Sequence, residues 1–363
     1  MNISPRLEEK EGSFMKILIT GNMGYVGPPV VRQLRASRPA TVLAGLDIGY
    51  YANGITNEMA FPERFLNIQY LADIRQFPKE ILRGVRVVVH LAAISNDPIS
   101  NRFEEVTLDI NHRASIDLAR GAKAAGVRSF IFASSCSMYG LADDTPRAEN
   151  SALNPLTPYA RSKVFTERDL ASLAEEEFTV TALRFSTACG WSDRLRLDLV
   201  LNDFVAGAVA SGKISILSNG TPWRPLIDVK DMARAIDWAI SRPNSKETPF
   251  LAVNVGSNEA NYQVRELAEA VAAEIPGTRV SVNKDAPQDQ RSYKVNFDLY
   301  RKLAPAHQPV VGLRESIREL KSGLESLSFR DPEFRNSSYM RLNILMELRK
   351  RGLLNDQLQW IRP

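Results

Sequence analysis

The first half of the chain alternates between short, continuously apolar runs and longer stretches in which apolar residues recur at helical spacing. The runs are rich in β-branched residues, which is typical of parallel strands that are buried on both faces. Strands are predicted at residues 16–20, 42–46, 68–71, 85–90, 129–133 and 179–184, and helices at 25–36, 104–125 and 159–176. This order predicts an α/β fold, in which a doubly wound parallel sheet carries helices on both faces.

After residue 184 the pattern becomes less regular. It predicts helices at 197–211, 229–240, 263–274 and 297–303, strands at 214–217, 252–255 and 280–282, and a turn at 220–225. No low-complexity linker separates the two parts, so we expect them to be intertwined. The larger domain would comprise residues 15–185, with 226–256 returning to it, and a smaller C-terminal α/β lobe would comprise 186–225 and 257–330. Residues 331–363 predict a helical tail that serves an interface or covers the smaller lobe.

A glycine-rich turn, TGNMGYVG at residues 20–27, joins the first strand to the first helix. Its glycines suit a tight turn, a close approach of the backbone to a diphosphate, and helix-on-strand packing. Asp47 ends the next strand, where a carboxylate can bind both ribose hydroxyls and would repel a 2′-phosphate. A plain turn with a solvated aspartate is the alternative, but the strand before, the helix after and the spacing favour an NAD-binding Rossmann domain. The predicted contacts are Gly21, Met23, Gly24, Tyr25, Val26, Gly27 and Asp47, with Asp73 and Ile74 beside the adenine.

Tyr159 and Lys163 are four residues apart on one face of a predicted helix. A lysine ammonium and a positive nicotinamide ring would favour the tyrosine phenolate and make it a usable base near neutral pH. Ser135, at the end of the fifth strand, can polarise the reacting oxygen. Taken singly, these residues are more often an exposed helical pair and a turn hydroxyl. In this order after a dinucleotide fold, they predict a catalytic group.

The composition fits a globular enzyme, with 44% hydrophobic and 24% charged residues among 363. The formal net charge of +4 is not clustered as nucleic-acid binding requires, so no nucleic-acid partner is expected. No apolar run is long enough to span a bilayer, which predicts no membrane partner. The polar residues 1–14 predict a flexible extension without a signal-peptide pattern, and we expect a cytoplasmic protein. The few cysteines and histidines lack metal-ligand spacing; they are Cys136, Cys189, His90, His112 and His307.

Together these residues resemble the extended short-chain dehydrogenase/reductase family, in its branch of NAD-dependent nucleotide-sugar epimerases, dehydratases and ketoreductases. The similarity runs from about residue 15 to about residue 327, and further motifs carry it: HLAA at 90–93, SSCSMYG at 134–140, LRF at 183–185, WRPLIDV at 223–229 and DQRSY at 289–293. The resemblance implies resident NAD, a nucleotide-diphosphate sugar bound in the C-terminal lobe, and a homodimer. It adds cofactor contacts at Leu91, Ala92, Ala93, Asn111, Phe185 and the Tyr159/Lys163 pair. It adds substrate contacts at Ser95, Ser137, Thr187, Asn202, Arg224 and Arg291.

Departures from the family pattern narrow the predicted reaction. Relatives that dehydrate or decarboxylate sugars carry a carboxylic residue after the catalytic hydroxyl, but here Cys136 and Ser137 follow Ser135. The sequence TACG at 187–190 also replaces the usual NVYG. The remaining hypotheses are a 4-epimerase that oxidises sugar C4 transiently, and a reductase of a nucleotide 4-keto-6-deoxysugar. A non-enzymatic NAD(H)-sensing protein is a third. Cys136 is interpreted as a small buried apolar residue rather than an acid/base.

Overall fold

A seven-stranded, entirely parallel sheet forms the centre of the protein in a computed structural model that describes residues 15–56, 61–283 and 292–361. The strands of the chain are β1 (Lys16–Thr20), β2 (Val42–Asp47), β3 (Ile68–Leu71), β4 (Val85–His90), β5 (Ser129–Ser135), β6 (Thr179–Phe185), β7 (Thr187–Cys189), β8 (Lys213–Ile216), β9 (Trp223–Asp228), β10 (Phe250–Val255), β11 (Asn261–Gln263) and β12 (Arg279–Val282). The central sheet has the order β10-β6-β5-β4-β1-β2-β3, so the order reverses between β1 and β4. This confirms the predicted doubly wound fold.

Helices cover both faces of this sheet. The α-helices of the described residues, in both parts of the protein, are α1 (Gly27–Ser37), α2 (Asp97–Arg102), α3 (Glu104–Leu108), α4 (Ala114–Ala124), α5 (Pro158–Leu173), α6 (Val200–Ser211), α7 (Val229–Ser241), α8 (Val264–Glu274), α9 (Asp298–Leu303), α10 (Leu313–Ser326) and α11 (Arg341–Lys350). Alternate residues of β1 serve opposite layers: Ile17 and Ile19 pack with Leu34 of α1, while Leu18 packs with Leu118 of α4. The continuously apolar strands arise from this two-sided burial. Within the described ranges, no helix is long and apolar enough to cross a membrane.

The helix predicted at 104–125 is interrupted by a π-helical turn at Asp109–Arg113. In this turn the backbone carbonyl of Asn111 accepts hydrogen bonds from the hydroxyls of Ser115 (2.8 Å) and Thr166 (2.9 Å). A side-chain donor from α5 therefore joins a local one at a carbonyl in the turn. The apolar periodicity of residues 104–125 predicted a regular helix. It could not reveal the π-helical turn, because this turn depends on tertiary partners.

The smaller lobe has its own apolar core. Its two sheets, β11-β9-β7 and β12-β8, pack with α6, α8 and α10. Two expectations are corrected here: residues 223–225 belong to β9 rather than to a turn, and α10 was not predicted although Ile317, Leu320 and Leu324 recur on one face and are fully buried. The return of β10 to the central sheet, beside β6, links this lobe to the larger domain.

The C-terminal segment, defined as residues 334–361, contacts both parts of the protein. Phe334 lies in the core of the smaller lobe, whereas Leu345, Leu354 and Leu358 lie in the core of the larger domain. All four side chains are at most 3% exposed. The segment is therefore integrated in the fold and lies across both lobes, rather than covering the smaller lobe alone.

A buried ion pair lies behind the end of β5. The Glu167 carboxylate accepts a hydrogen bond from the Ser134 hydroxyl (2.5 Å) and two-point contacts from the Arg184 guanidinium, the shortest at 2.7 Å. Both side chains of the pair are less than a tenth exposed. The pair ties α5, which carries Tyr159 and Lys163, to β5 and β6.

We predict that Glu167→Gln destabilises the protein by about 3 kcal/mol, because it leaves the Arg184 cation buried without its counter-charge. Urea unfolding followed by circular dichroism would measure the change in the free energy of unfolding. Glu176→Gln, at an exposed position of the same part of the chain, is the control and should change it by less than about 0.5 kcal/mol. Equal stabilities of the two variants would contradict the assignment.

Candidate active site

A cavity of about 290 Å³ opens at the carboxyl ends of β1, β4, β5 and β6, next to the point where the strand order reverses. In open parallel sheets, this crevice is where ligands bind. Seventeen of the residues predicted from the sequence line it: Gly21, Gly24, Tyr25, Val26, Asp47, Asp73, Ile74, Leu91, Ala92, Ala93, Ser95, Ser135, Ser137, Tyr159, Lys163, Phe185 and Thr187. The structure therefore brings the predicted cofactor and catalytic groups to one cavity.

The glycine turn has the shape that a dinucleotide requires. Gly21 has a φ of +76°, and a Cβ there would lie 2.5 Å from the backbone nitrogen of Ala92 at the end of β4. A Cβ at Gly27 would lie 1.9 Å from the carbonyl oxygen of Asn22, so α1 can approach the turn only without a side chain. Gly24 lies on the cavity lining, and a Cβ there would lie 3.2 Å from the carbonyl oxygen of Gly21, a tight contact within the turn.

The Asp47 carboxylate lies at the end of β2 and is fixed by the backbone. It accepts hydrogen bonds from the N–H groups of Met23 (2.9 Å) and Gly49 (2.8 Å). Burial raises the pKa of Asp47, and the two backbone donors oppose this shift. An oriented carboxylate beside a glycine turn fits the ribose of NAD. Asp73, expected beside the adenine, lines the same end but is paired with Arg75, whose Nη2 lies 2.6 Å from its carboxylate.

The three predicted catalytic side chains meet at the other end of the cavity. α5 begins at Pro158, and its N-cap, Thr157, accepts a hydrogen bond from the Ala160 N–H (3.2 Å), so that Tyr159 lies in the first turn. Tyr159 is hydrogen-bonded to Ser135, and the Ser135 hydroxyl donates to that of Ser137 at 2.9 Å.

The Lys163 ammonium is held close to Tyr159. Its Nζ donates to the carbonyl of Ala133 (2.7 Å) and lies 5.6 Å from the centroid of the Tyr159 ring. A phenol, a hydroxyl and an amine that converge in this way can move a proton at a bound alcohol or ketone oxygen.

The protonation of this group in the cofactor-free protein is governed by burial. Burial raises the pKa of Tyr159 to about 12, although the hydrogen bond with Ser135 lowers it, and burial lowers the pKa of Lys163 to about 7. The phenol is therefore protonated at neutral pH in the cofactor-free protein. A phenolate near pH 7 requires additional positive charge in the cavity.

Five predicted site residues do not line the cavity, namely Met23, Gly27, Asn111, Asn202 and Arg224. Asn111 is 1% exposed. Its Oδ1 accepts a hydrogen bond from the Ile94 N–H (2.7 Å), and its Nδ2 donates to the Ile94 carbonyl (2.9 Å). Asn202 is fully buried and donates to the Tyr25 hydroxyl (3.0 Å) and to the carbonyl of Arg196 (2.8 Å). Both asparagines hold residues of the cavity lining in place.

The other predicted residues that do not line the cavity make different contacts in the structure. Met23 contributes its backbone N–H to Asp47, and Gly27 serves the packing of α1. Arg224 lies on β9, where its Nη1 donates to the carbonyl of Trp223 (2.9 Å). Burial raises the pKa of Tyr293, a residue that does line the cavity, and the charge of Arg224 opposes this shift. Arg291 lies outside the described residues, as does the expected extension at 1–14.

The sequence reasoning missed several residues of the cavity lining, among them Tyr50, Tyr51, Arg196, Tyr293 and Arg341. Tyr50 and Tyr51 follow Asp47 closely, so their place in the ribose loop was a usable signal. Tyr293 lies in the quoted motif at 289–293, of which only Arg291 was selected. Arg196 and Arg341 carried no local signal, because each reaches the cavity through tertiary packing.

A dinucleotide turn at one end of a cavity and a Ser/Tyr/Lys group at the other define a site for NAD-dependent chemistry on an alcohol or ketone carbon. The chain matches the model of the NAD dependent epimerase/dehydratase family over residues 17–256, and it belongs to this family. NAD is therefore its cofactor, and the predicted family resemblance is confirmed. Among residues 15–56, 61–283 and 292–361, no group of three potential metal ligands is present.

The following relatives and solved structures are each less than 30% identical to this chain. The chain is 26% identical to a putative UDP-glucose 4-epimerase of Methanocaldococcus jannaschii over 85% of this chain and 98% of that protein. It is 29% identical to the UDP-glucose 4-epimerase of Streptomyces lividans over 70% and 80%. Its fold is similar to that of a UDP-glucose-4-epimerase from Stenotrophomonas maltophila, solved with bound NAD and formylated UDP-arabinopyranose (TM-score 0.72, 23% identity, 86% of this chain and 99% of that chain). It is also similar to TunA, an NDP-hexosamine 5,6-dehydratase (TM-score 0.74, 24% identity, 88% and 99%).

We predict that Lys163→Met raises the melting temperature of the cofactor-free protein, and more so at pH 6 than at pH 10. The pKa of Lys163 is about 7 in the folded protein against an ordinary 10.5, so the unfolded chain binds more protons between these values. The cost of burying the ammonium is therefore complete below pH 7 and disappears as the pH approaches 10.5. Thermal unfolding across this range would measure it.

Lys246→Met, at an exposed lysine, is the matched control and should show no such pH dependence. A melting temperature that falls equally at every pH in Lys163→Met would mean that the ammonium is well solvated or neutralised in the fold.

Proposed function

We propose that this chain is an NAD-dependent nucleotide-sugar 4-epimerase in which Tyr159 is the base at sugar O4. The observation that supports this most directly is the convergence of Ser135, Tyr159 and Lys163 at one end of a cavity whose other end carries the glycine turn and Asp47. A substrate alcohol placed against Tyr159 and Ser135 would lie next to the predicted nicotinamide position. The names of the sequence relatives, several of them UDP-glucose 4-epimerases, support the same reaction.

The chemistry at C4 needs few groups from the chain. In this proposal, the Tyr159 oxygen takes the proton of the C4 hydroxyl and returns it, while Ser135 holds that oxygen by a hydrogen bond. When bound, NAD supplies the hydride acceptor for C4, and its positive ring would lower the pKa of Tyr159. Lys163 would hold the nicotinamide ribose and add positive charge next to the phenol when it is protonated.

The carboxylates on the cavity lining argue against dehydration. Among the described residues that line the cavity, the carboxylates are Asp47 and Asp73, and both lie at the ribose and adenine end. Cys136, which stands where dehydratases carry an acid, is fully buried, and its Sγ contacts the Arg184 carbonyl at 3.0 Å. Burial raises the pKa of the Cys136 thiol well above its ordinary value. No acid for elimination is thus available beside Tyr159 on this lining.

We also propose a cytoplasmic homodimer that forms through α3–α5, as the family resemblance implies. Leu108 and Phe165 are half-buried apolar residues on this face, and Phe165 lies beside the ring of His112 (centroids 5.7 Å apart). An apolar patch on adjacent helices suits an isologous contact. Light scattering coupled to gel filtration would measure the mass in solution.

The reaction is tested by incubating the purified protein with UDP-, GDP-, dTDP- and CDP-sugars without added cofactor. We expect at least one C4 epimer, detected by NMR, and we expect Tyr159→Phe to lower its rate about 10²- to 10⁴-fold by removing the base. Tyr70→Phe is the control, because Tyr70 lies on β3 and not on the cavity lining, and it should leave the rate unchanged.

Other outcomes have defined meanings. Stoichiometric consumption of NADH with a nucleotide 4-keto sugar, and no epimer, would replace the 4-epimerase with a reductase that uses the same three residues. Unchanged turnover in Tyr159→Phe would show that the catalytic assignment is wrong. Binding of NAD(H) without turnover of any sugar would favour a sensing protein.

A further inference from the structure

Arg341 is the residue through which the C-terminal segment reaches the cavity. Its side chain lies on the cavity lining, and the residue is only 4% exposed. Its Nη2 donates to the backbone carbonyl of Arg194 (2.9 Å), and its guanidinium carbon lies 4.0 Å from the centroid of the Tyr51 ring. These contacts fix the guanidinium while leaving donors available, because a guanidinium carries five N–H groups.

Arg341 is not directly paired with a carboxylate among the described residues, although the charge of Asp198 acts on it. The two neighbouring arginines have carboxylate partners: Arg194 pairs with Glu63 at 2.8 Å and Arg196 with Asp198 at 2.9 Å. Among the described residues, no carboxylate lies within 4.0 Å of the Arg341 guanidinium, and burial lowers its pKa to about 10. A buried cation without a counter-ion is costly, so an anionic ligand at this point would be stabilising.

The surroundings of Arg341 place this anion in the dinucleotide end of the cavity. Tyr51 follows Asp47, the predicted ribose ligand, in the loop after β2. Arg196, whose charge acts on both Arg341 and Tyr159, donates to the hydroxyl of Ser95 (3.0 Å), a predicted substrate contact after β4, so the contact with Tyr51 is what favours the dinucleotide end. β2 and β4 flank β1, whose end carries the glycine turn. Arg224, the arginine expected to bind the sugar nucleotide, is not on this lining.

The segment is attached on both sides of Arg341, which holds the guanidinium in place. On the smaller lobe, the Arg335 guanidinium binds the Asp203 carboxylate through two contacts (2.8 and 2.7 Å). On the larger domain, the Trp360 indole donates to the carbonyl of Ile48 (2.8 Å), and Arg75 donates to that of Gln357 (2.7 Å). Ile48 follows Asp47, so the end of the segment is bound to the ribose loop itself.

We propose that Arg341 binds the diphosphate of NAD, which makes the C-terminal segment a part of the cofactor site. This inference rests on the NAD dependence of the family and not on the proposed 4-epimerisation. The glycine turn would bind the diphosphate from one side through backbone N–H groups, and Arg341 would bind it from the other. The site then has donors on both sides of the dianion, as charge-assisted hydrogen bonding favours.

The test measures binding to cofactor-stripped protein by calorimetry, with NAD⁺, ADP-ribose, adenosine and UDP as separate ligands. Arg341→Gln should weaken the binding of NAD⁺ and ADP-ribose about 10- to 100-fold, because it removes charge-assisted hydrogen bonds to the diphosphate. Adenosine, which lacks a diphosphate, and UDP should bind as in the parent protein. Arg341→Lys keeps the charge but loses the planar fork, so its loss should be smaller.

Arg351→Gln is the matched control, since it makes the same charge change at an exposed position just after α11, and it should bind all four ligands normally. Melting temperatures of the free variants show whether the fold is retained. Unchanged NAD⁺ affinity in Arg341→Gln would overturn the proposal, and so would a loss confined to UDP, which would assign Arg341 to the sugar nucleotide. Neither result depends on whether the protein epimerises a sugar.

Discussion

The site depends on the parallel pairing of β1 with β4, from which the chain continues in opposite directions across the sheet. β1 leads outward through β2 and β3, and β4 leads through β5 and β6, so the connections after these strands diverge and leave a crevice. A polar contact fixes the two strand ends: the Nδ1 of His90 lies 2.6 Å from the Thr20 hydroxyl, and its Nε2 lies 2.7 Å from the Ser115 hydroxyl. Burial lowers the pKa of His90 to about 3, which keeps the ring neutral. The interpretation of this histidine as structural agrees with these contacts.

The residues of the site are brought together at this crevice. The glycine turn comes from β1, the ribose ligand from β2 and the serine from β5, since parallel strands place their carboxyl ends at one edge. The tyrosine and lysine come from α5, which is held to β5 and β6 by the buried Glu167–Arg184 pair. The proposed catalytic group is thus positioned by an ionic contact behind the sheet as well as by hydrogen bonds among its own members.

The sequence was sufficient where a function is carried by neighbours in the chain. The turn at 20–27, Asp47 at a strand end and the pair Tyr159/Lys163 are local patterns, and all reach the same cavity. Asn111 and Asn202 do not line the cavity themselves but bond to residues that do, an arrangement that depends on tertiary contacts and not on local sequence. Arg341 could not be selected, since the fold brings it to the ribose loop from nearly the other end of the chain. The raised pKa of Tyr159 could not be predicted from the sequence either, because it arises from burial in the folded protein.

Two cations on one cavity lining, Lys163 and Arg341, are buried at a cost in the cofactor-free protein. Burial lowers the pKa of each, and the nearby carboxylates, Glu167 for Lys163 and Asp198 for Arg341, oppose this shift. The two lie toward opposite ends of the space that a dinucleotide would fill, one at the catalytic group and one at the ribose loop. A dinucleotide whose central diphosphate reaches Arg341 would relieve the cost there, and its nicotinamide ribose would offer hydroxyl acceptors to Lys163. Such a ligand binds the folded state alone, so its binding energy adds to the stability of the protein.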